Sequence, residues 1–456
     1  MSKIKKFLNI LKNKRIMICG FGKSNSCMVK MLLDANAYLI ICDYDKKTKK
    51  IFQHKNLEYR LGENYLEKLD VDIIIRTPGL NYFSENLIKA RKKNIIVTSE
   101  IEIFFDLCPC EIIGVTGSDG KTTTSTLIYE ILKTSKEKVY LGGNIGDPLL
   151  PLIYQLNEND IVIVELSSFQ LISMRKSPDI SVITNLSPNH LDIHKNMVEY
   201  VNSKKNIFLH QNAFSKIVLN YDNKLTKKFK NQTRGKNLFF SLNKKLQNGA
   251  WISKNKIYFS ENEKTTQIME VTDIKLKGTH NLENYLAVIC AIFDKVDIKY
   301  IKEVARNFNG VKHRIEFVRN LNNVYFYNDS IASSPTRTIS ALKVFDQKVI
   351  LIAGGYDKKI PLDDLSYIIL DKVKLLILLG NTSEKILESI KKISEINNKK
   401  MINFIQTNNM QEAVEVSYKN SEKQDIVLLS PAFASFDLYK NFEERGNDFK
   451  NIVNNL

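Results

Sequence analysis

The strongest chemical signal in the sequence is a glycine-rich segment, Gly114-Val115-Thr116-Gly117-Ser118-Asp119-Gly120-Lys121-Thr122-Thr123-Thr124. An apolar run precedes it and apolar residues at helical spacing follow it, which predicts a strand, a turn and a helix. Backbone N–H groups in such a turn, together with the helix N-terminus, can bind a polyphosphate. Lys121 would reach the outer phosphates and the Thr122 hydroxyl would bind Mg²⁺. We therefore predict an ATP site, although Val115 stands where the usual first glycine is expected; the alternative is an ordinary glycine-rich turn.

A second glycine turn lies near the start of the chain, in Arg15-Ile16-Met17-Ile18-Cys19-Gly20-Phe21-Gly22-Lys23-Ser24-Asn25-Ser26. An apolar strand ending at Asp43 follows, an order typical of a Rossmann-like site, in which an acid meets a ribose hydroxyl. Because Asn25 replaces the third glycine of the dinucleotide pattern, the segment favours nucleotide binding more than a nicotinamide cofactor. A strand predicted at 71–75 leads into a turn with Gly79, where ligands of open α/β sheets bind, and a plain turn is the alternative.

Two polar side chains follow predicted strands in the middle of the chain. Glu165 comes directly after the apolar run 161–164, and His190 lies shortly after the run 180–185. The carboxyl ends of parallel strands share one edge of a sheet, so we expect both side chains beside the phosphate loop. A carboxylate suits Mg²⁺, whereas histidine is a less usual ligand for that ion. Taken singly, a solvated acid and an ordinary loop histidine are the alternatives.

The elements that position these residues alternate between strands and helices, which predicts an α/β protein built on largely parallel sheets. We expect a Rossmann-like domain, a P-loop-type ATPase domain and a second Rossmann-like domain, at residues 1–105, 106–311 and 312–456. Short strands with Asn- and Lys-rich turns predict a small antiparallel addition at 214–267. In the last third, strands are predicted at 324–327, 349–353, 375–379 and 426–429. Helices are predicted at 281–295, 336–344 and 383–393.

Composition excludes several classes of protein. The 456 residues carry a net charge of +17, but only 11 of the 67 basic residues are arginine and the lysines are spread along the chain. No dense basic block or zinc-finger spacing is present, so we predict no nucleic-acid binding. The six cysteines lack C-x-x-C pairs and are expected to be reduced thiols. No apolar run reaches the length of a membrane span. We expect a cytoplasmic protein.

Several motifs together carry a resemblance to a known family. They are GVTGSDGKTTT (114–124), GGNIG (142–146), ELSSFQL (165–171), NLSPNHLD (185–192), HNLENYLA (280–287), KHR (312–314), NDSIASSP (328–335), AGGYDKK (353–359) and SPAFASFDLYKNFEERGNDF (430–449). In this order they resemble the Mur ligases over nearly the whole chain. The closest likeness is to members that add D-glutamate to UDP-N-acetylmuramoyl-L-alanine in peptidoglycan synthesis. The Asp-Asn-Pro-Arg motif of the diaminopimelate-adding relatives is absent, in agreement with that likeness.

The resemblance implies a role for each matched position. The residues expected around ATP are Gly117, Ser118, Asp119, Gly120, Lys121, Thr122, Thr123, Asn281, Asn284, Arg314 and Asp329. Those expected to bind the UDP substrate or the amino acid are Lys23, Ser24, Asp43, Gly79, Asn144, Lys358, Ser435, Phe436 and Phe442. Thr122, Glu165, His190 and Lys204 are expected at two Mg²⁺ sites. Lys121, His190 and Lys204 are the expected catalytic residues.

Lys204 shows how much the resemblance adds. The residues around Lys204 by themselves predict a solvated lysine on a helix. The resemblance instead implies that it is N-carbamylated, which converts a cation that repels Mg²⁺ into an anion that can bind it. Ile331 stands where many relatives have lysine, so one cation expected near the amino acid is missing.

The implied reaction is ATP-dependent amide formation through an acyl phosphate, with the two substrates as the partners of a monomer. Within the same family, ligation of a different amino acid is the alternative. From another class, the first domain would suit a nucleotide-sugar or dinucleotide-dependent oxidoreductase. A basic nucleic-acid-binding NTPase is the remaining alternative.

Overall fold

The computed structural model describes residues 3–46, 48, 51–190, 193–357 and 360–456, and the side chain of Lys23 lies outside this description. The chain divides into two compact units. The first runs over Met1–Ser187, Asn196–Val271 and Glu283–Val304, and the second over Pro188–Lys195, Thr272–Leu282 and Ala305–Leu456. Within the described residues the strands form three sheets, two in the first unit and one in the second. The predicted α/β class is confirmed, while the division at 105/106 and 311/312 stays a prediction.

The first sheet is parallel and belongs to the N-terminal part of the first unit. Its strands are β1 (Arg15–Cys19), β2 (Tyr38–Asp43), β3 (Leu57–Leu61), β4 (Ile73–Arg76) and β5 (Ile96–Thr98). The accompanying helices are α1 (Lys3–Leu11), α2 (Lys23–Ser26), α3 (Val29–Asp34), α4 (Glu85–Lys92) and α5 (Glu100–Leu107). The strand order is β3-β2-β1-β4-β5. Strands β2 and β4 therefore lie on opposite sides of β1, and the order in which the strands are added reverses there. Such a reversal opens a crevice at the carboxyl ends of the central strands.

The second sheet carries the glycine-rich segment. Its strands are β6 (Glu111–Thr116), β7 (Val139–Gly143), β8 (Ile161–Glu165), β9 (Ile180–Ile183), β10 (Lys216–Asn220), β11 (Lys236–Ser241), β12 (Gly249–Ser253), β13 (Lys256–Glu261) and β14 (Lys264–Glu270). Its helices are α6 (Lys121–Thr134), α7 (Ser168–Leu171), α8 (Met197–Lys205), α9 (Thr279–Ile292) and α10 (Ile298–Asn307). Short 3₁₀ helices span Leu150–Tyr154, Thr226–Gln232 and Val271–Asp273. The order β14-β13-β12-β11-β10-β9-β6-β8-β7 places β6 between β9 and β8.

The antiparallel addition is smaller than predicted. We expected it to include the strands at 216–220 and 237–242, but β10 pairs parallel with β9 and with β11, and β11 pairs parallel with β12. Antiparallel pairing is confined to β12, β13 and β14. Every residue of β10 is buried, as is typical of a parallel strand covered on both faces. The 3₁₀ helix Thr226–Gln232 supplies the crossover that a parallel pair requires.

The third sheet lies in the second unit. Its strands are β15 (Glu316–Leu321), β16 (Val324–Asn328), β17 (Val349–Ala353), β18 (Val373–Leu379), β19 (Asn403–Thr407) and β20 (Ile426–Leu429). Its helices are α11 (Pro335–Leu342), α12 (Asp363–Lys372), α13 (Ser383–Ile396), α14 (Met410–Lys419) and α15 (Phe442–Asn455). The order is β15-β16-β20-β17-β18-β19, and among the described strands of this sheet only the β15–β16 pair is antiparallel. The four strands predicted in this region are present, with ends that shift by up to two residues.

The core of the first unit is continuous from the first sheet to the second. Helix α5 lies at the junction, with Phe104 and Phe105 fully buried, and it packs in one apolar cluster with Ile16 of β1 and Val162 of β8. The first two sheets are therefore connected by packing as well as by the chain. Within the described residues, no helix is both long and apolar enough to cross a membrane.

Candidate active site

The glycine-rich segment forms the turn that its sequence predicts. Strand β6 ends at Thr116 and α6 begins at Lys121, with the apolar positions of α6 buried as expected. Gly120 has φ 79°, a left-handed conformation, and a Cβ at this position would collide with Asn284 Oδ1. Lys121 folds back over the turn, where its ammonium donates to the carbonyl oxygens of Gly117 at 2.8 Å and Ser118 at 2.9 Å. The ammonium of Lys121 therefore lies over the turn, at the N-terminal end of α6.

A neighbouring segment holds this turn in shape. Ser118 is fully buried; its N–H donates to Asn185 O and its hydroxyl donates to Ser187 O. The N–H of Asp119 donates to Asn185 Oδ1, and the Thr184 hydroxyl donates to Asp119 O. The N–H and hydroxyl of Ser118 therefore stabilise the conformation of the loop. Our sequence analysis did not assign this role to residues 184–187.

Asn284 lies beside the same turn, close to Gly120, while its expected contact with ATP stays a prediction. Its Oδ1 accepts a hydrogen bond from Thr124 Oγ1 at 3.2 Å, one turn into α6. Asn281, on the first turn of α9, donates from Nδ2 to Lys277 O at 2.8 Å and belongs to the second unit.

Lys204 is buried against the start of the glycine-rich turn, with only 2% of its surface exposed. Its ammonium donates to Gly117 O at 3.0 Å and to Thr116 Oγ1 at 3.1 Å, and it lies 5.0 Å from the centre of the Tyr200 ring. Helix α8 therefore delivers a second cationic side chain to the phosphate loop. The interpretation of Lys204 as a solvated residue, drawn from its own segment, is wrong because its side chain is buried and donates to Thr116 and Gly117, at the end of β6.

Glu165 supplies a carboxylate at the end of β8, next to β6 in the sheet. The strand register pairs Glu165 with Val115, two residues before Gly117. Glu165 is 1% exposed, and its Oε1 accepts from Asn144 Nδ2 at 2.8 Å. Its Oε2 is also buried, without a hydrogen-bond partner among the described residues. A buried, unsatisfied carboxylate oxygen is costly, and a cation bound there would remove the cost.

The first sheet forms a compact polar turn where nucleotide binding is predicted. Asp43 Oδ2 accepts from the N–H of Phe21 at 2.7 Å, and its Oδ1 accepts from the N–H of Asp45. The amide of Asn25 donates to Cys19 O and Gly20 O, so this departure from the dinucleotide pattern also stabilises the turn. Both carboxylate oxygens of Asp43 therefore stabilise the turn by accepting hydrogen bonds, in addition to any contact with a ribose.

Gly79 lies in the neighbouring turn of the same edge. Strands β1 and β4 pair with Cys19 opposite Arg76, which brings the two turns together. A Cβ on Gly20 would collide with the side chain of Thr77, so the close approach depends on glycine. Ser24, predicted to bind substrate, lies on α2 at this edge, and its carbonyl accepts from Cys27 Sγ.

In the second unit, Asp329 follows β16 and is 3% exposed. Its Oδ2 accepts from Ser430 Oγ at 2.7 Å, and its Oδ1 accepts from the N–H of Ile315 at 3.3 Å. Burial raises the pKa of Asp329 to about 6, although Ser430 and the nearby charge of Arg314 act in the opposite direction. The residues on either side of Arg314, His313 and Ile315, both have positive φ angles. Arg314 and Asp329 are thus neighbours, while their expected contact with the nucleotide stays a prediction.

The predicted amino-acid site is organised by a residue that our sequence analysis did not single out. Arg445 on α15 is 3% exposed and donates to the carbonyl oxygens of Ser330 at 2.9 Å and Phe433 at 3.1 Å. Its Nη1 also donates to Ala434 O at 3.3 Å, next to Ser435. The available signal was the presence of an arginine inside the motif 430–449.

The side chains predicted to contact the amino acid surround this arrangement. Ser435 is buried and Phe436 is exposed, with its ring 6.1 Å from that of Tyr356. Phe442 begins α15, and its carbonyl accepts from Ser330 Oγ at 2.8 Å. Ile331, in place of the lysine of many relatives, is buried.

Three predicted residues have a more limited description. His190 has φ 55°, and its carbonyl accepts from the N–H groups of Ile193 and His194. It belongs to the second unit and Glu165 to the first, so their expected meeting at one metal site stays a prediction. Lys358 and the side chain of Lys23 lie outside the described residues.

Comparison with known proteins gives consistent results over the whole chain. Sequence models described as the Mur ligase middle domain and as the Mur ligase, glutamate ligase domain match residues 115–292 and 313–433. The UDP-N-acetylmuramoylalanine–D-glutamate ligase of Acetivibrio thermocellus is 48% identical over 100% of this chain and 99% of its own length. A protein of the same name from Clostridium botulinum (strain 657 / Type Ba4) is 47% identical over 100% of both chains.

The fold also resembles a solved structure of low sequence identity. The MurF ligase from Thermotoga maritima in complex with ADP superposes with a TM-score of 0.56 at 17% identity, over 98% of this chain and 97% of that one. At this identity the likeness establishes the fold alone.

Proposed function

The chain belongs to the Mur ligase family, and we propose that it uses ATP to join D-glutamate to UDP-N-acetylmuramoyl-L-alanine. Two relatives that are 47–48% identical over its full length carry names for this reaction. The Asp-Asn-Pro-Arg motif of the diaminopimelate-adding relatives is absent from the sequence, which favours D-glutamate as the amino acid.

The observation that carries the proposal is the set of charges around the glycine-rich turn. The ammonium groups of Lys121 and Lys204 both donate a hydrogen bond to Gly117 O. Glu165 is the last residue of the adjacent strand, and its buried Oε2 has no hydrogen-bond partner among the described residues. This donor set fits a magnesium–nucleotide site, in which a carboxylate and a threonine hydroxyl such as that of Thr122 bind the cation. Bound Mg²⁺ would neutralise charge on the phosphates of ATP.

The chain's own residues can then perform the amide-forming sequence. The carboxylate of the nucleotide sugar attacks the γ-phosphorus of ATP, and ADP leaves. Lys121 stabilises the negative charge of this transfer. The neutral amine of D-glutamate attacks the acyl carbon, inorganic phosphate leaves, and the nitrogen loses a proton to give the amide. Water must be excluded while the acyl phosphate exists, because hydrolysis would waste ATP.

Lys204 is proposed to act as a carbamate. Reaction of its neutral amine with CO₂ forms an N–C bond and releases one proton, and the product is an anion. The buried location beside Thr116 and Gly117 is where such an anion would complete the cation's ligands together with Glu165 and the predicted His190. We further propose two Mg²⁺ sites and a monomer in the cytoplasm.

The amino-acid site is proposed on the loops that Arg445 holds. Ser435 and Phe442 flank this arginine's contacts, and Lys358 is expected near the D-glutamate carboxylates by resemblance. Ile331 removes one further positive charge that many relatives supply. The discrimination between amino acids therefore needs direct measurement.

The test is release of ADP in the presence of UDP-N-acetylmuramoyl-L-alanine and a panel of amino acids. We expect release to require the nucleotide sugar and D-glutamate together, and L-glutamate, L-lysine and diaminopimelate to give little. The variant Glu165→Gln should need more Mg²⁺ for half-maximal rate, whereas Glu137→Gln, which changes an exposed acid of the same unit, should not. ADP release that prefers another amino acid, or that ignores the nucleotide sugar, would overturn the proposal.

A further inference from the structure

Arg76 is the largest of the almost fully buried side chains, with 1% of its surface exposed. It is the last residue of β4 in the first sheet, directly before the turn Thr77–Leu80 that contains Gly79. No role was assigned to this residue by the sequence motifs. A charged side chain is rarely buried so deeply unless its hydrogen bonds are used.

The guanidinium of Arg76 joins two segments that are far apart in the chain. Nη1 donates to the carbonyl oxygens of its own turn, Thr77 at 3.4 Å and Leu80 at 3.3 Å. Nη2 donates to Phe169 O at 2.8 Å and to Ser173 Oγ at 2.8 Å, on and just after α7. Nη1 therefore binds the turn that follows β4 of the first sheet, and Nη2 binds the segment that follows Glu165.

An acidic residue on α5 completes this connection, which we call the Arg76 clamp (Arg76, Ser173 and Glu102). Ser173 Oγ lies 2.9 Å from Glu102 Oε2, which also accepts from Ser99 Oγ at 2.7 Å. Burial lowers the pKa of Arg76, and the charge of Glu102 opposes that change. Burial also raises the pKa of Glu102, against the hydrogen bonds and the charge of Arg76.

Arg76 and Glu102 are connected through the Ser173 hydroxyl, and two buried charges are weak evidence for stability, because removing both from water costs about as much as their attraction contributes. The best-attested use of such a buried pair is to select one arrangement of the segments that it joins. Here the segments are the Thr77–Leu80 turn and α7, whose first turn is capped by Ser167 and Gln170 two residues after Glu165.

We propose that Arg76 is a positioning residue for the nucleotide-sugar substrate. It holds the Gly79 turn, where the UDP portion is proposed to bind, at a set distance from the Glu165 end of β8, where the reacting carboxylate must lie. This inference rests on the proposed function. The substrate spans both places, so correct spacing matters for its binding, while ATP contacts the second sheet alone within this unit.

The first test compares Arg76→Lys and Arg76→Gln with the matched control Arg91→Gln. Arg91 stacks 4.1 Å from the Tyr82 ring and donates to Tyr82 O, near Arg76 but outside the clamp. We expect both Arg76 variants to raise KM for the nucleotide sugar by about tenfold or more, with KM for ATP changed by less than about threefold. Lysine keeps the charge but cannot reach both segments with a fork. The control should leave both constants near wild type.

The second test does not depend on activity. Hydrogen exchange at residues 168–174 should become faster in Arg76→Lys and in the milder Ser173→Ala, and should be unchanged in Arg91→Gln. Wild-type KM in Arg76→Lys, or equal changes in both KM values without faster exchange in this segment, would overturn the inference. Failure of the wild type to use the nucleotide sugar would instead overturn the proposed function, and the exchange result would still decide whether the clamp orders α7.

Discussion

Lys121 illustrates how a residue and its turn are matched at the phosphate loop. Its ammonium rests on two carbonyl oxygens that belong to the turn itself, Gly117 and Ser118. A bound phosphate would offer a fully charged acceptor at the same place, which makes a stronger hydrogen bond. The same side chain therefore holds the turn in shape and, in the proposed reaction, stabilises the transferred charge.

We expect Lys121→Ala to reduce ligation by 10²-fold or more, the usual order of loss when a transition-state charge partner is removed. Binding of the UDP substrate and the melting temperature should change little, because the Lys121 side chain is partly exposed. Steady-state ADP release and a thermal melt measure both effects. Lys133→Ala, near the other end of α6, is the matched control. A Lys121→Ala variant with a tenth of wild-type turnover would contradict the role.

The second residue-scale prediction concerns the chemical form of Lys204. As an ammonium it donates to two acceptors, Gly117 O and Thr116 Oγ1, while a carbamate retains one N–H and gains two metal-binding oxygens. If the carbamate is the active form, Lys204→Arg should be nearly inactive although it keeps the positive charge. Added formate or acetate should restore part of the activity of Lys204→Ala and do little for the arginine variant.

Kinetics with and without the added acids, together with the mass of the intact active protein, decide the question. Lys205→Ala changes the next, outward residue of α8 and serves as the control. High activity in Lys204→Arg, or an unmodified lysine in fully active enzyme, would exclude the carbamate.

At the scale of elements, α5 connects the first two sheets through its acidic first turn. Glu100 is 7% exposed, and its Oε1 accepts from the N–H of Leu150 at 2.8 Å, at the start of a 3₁₀ helix beside the second sheet. Together with Glu102 in the Arg76 clamp, it places two carboxylates in one helical turn at the junction. Through the first turn of α5, this hydrogen bond connects the segment that carries Asn144 to the first sheet.

The stability of this junction should depend on pH. Burial raises the pKa of Glu100 from 4.5 to about 7, against the hydrogen bonds from the backbone of Leu150 and Leu149. The folded protein therefore holds a proton that the unfolded chain has released between these pH values. This contribution to the free energy of unfolding is fully present below about pH 4.5 and is lost as the pH rises through 7, by up to about 3 kcal/mol.

Denaturant unfolding at a series of pH values between 4.5 and 8 measures this contribution as the difference between wild type and Glu100→Gln. Wild type should lose stability relative to the variant as the pH rises. The exposed Glu67→Gln serves as the control and should follow wild type. A constant difference between wild type and Glu100→Gln across this range would show that Glu100 does not titrate as stated.

At the scale of the whole molecule, the first sheet distinguishes a Mur ligase from an oxidoreductase that shares its glycine turn. Asp43→Ala should raise KM for the UDP substrate and change kcat less, because the substitution loosens the Gly20–Gly22 turn far from the reacting carbon. Initial rates at varied nucleotide sugar measure this, and Asp45→Ala provides a neighbouring control. Binding of NADH at micromolar concentration, without binding of the UDP substrate, would show that the first domain has another ligand.

The same scale shows how the net charge of +17 is distributed over the structure. Many of its lysines form local pairs or lie over aromatic rings, such as Lys216 with Asp294 and Lys227 over Tyr221. The positive charge is therefore distributed over many small contacts. The absence of nucleic-acid binding stays a prediction.

The sequence alone determined the features that depend on short stretches of chain. A glycine turn between an apolar strand and an amphipathic helix forms from local backbone preferences, so the phosphate loop, the Gly20 turn and most strands of the last third could be predicted. The order of the motifs was enough to identify the Mur ligase family, which the full-length relatives confirm. These signals need no knowledge of which distant segment covers them.

Only the tertiary structure decided which polar residues are buried and what they join. The segment around Lys204 predicts a solvated lysine because its own helix contains few apolar residues, yet the side chain is buried and donates to Thr116, 88 residues earlier. Arg76 reads as the end of a strand until α7, about a hundred residues later, accepts its hydrogen bonds. Strands β10 and β11 read as an antiparallel pair because direction depends on the path of the connection. Burial and pairing are contacts between distant segments, and local pattern carries no record of the partner.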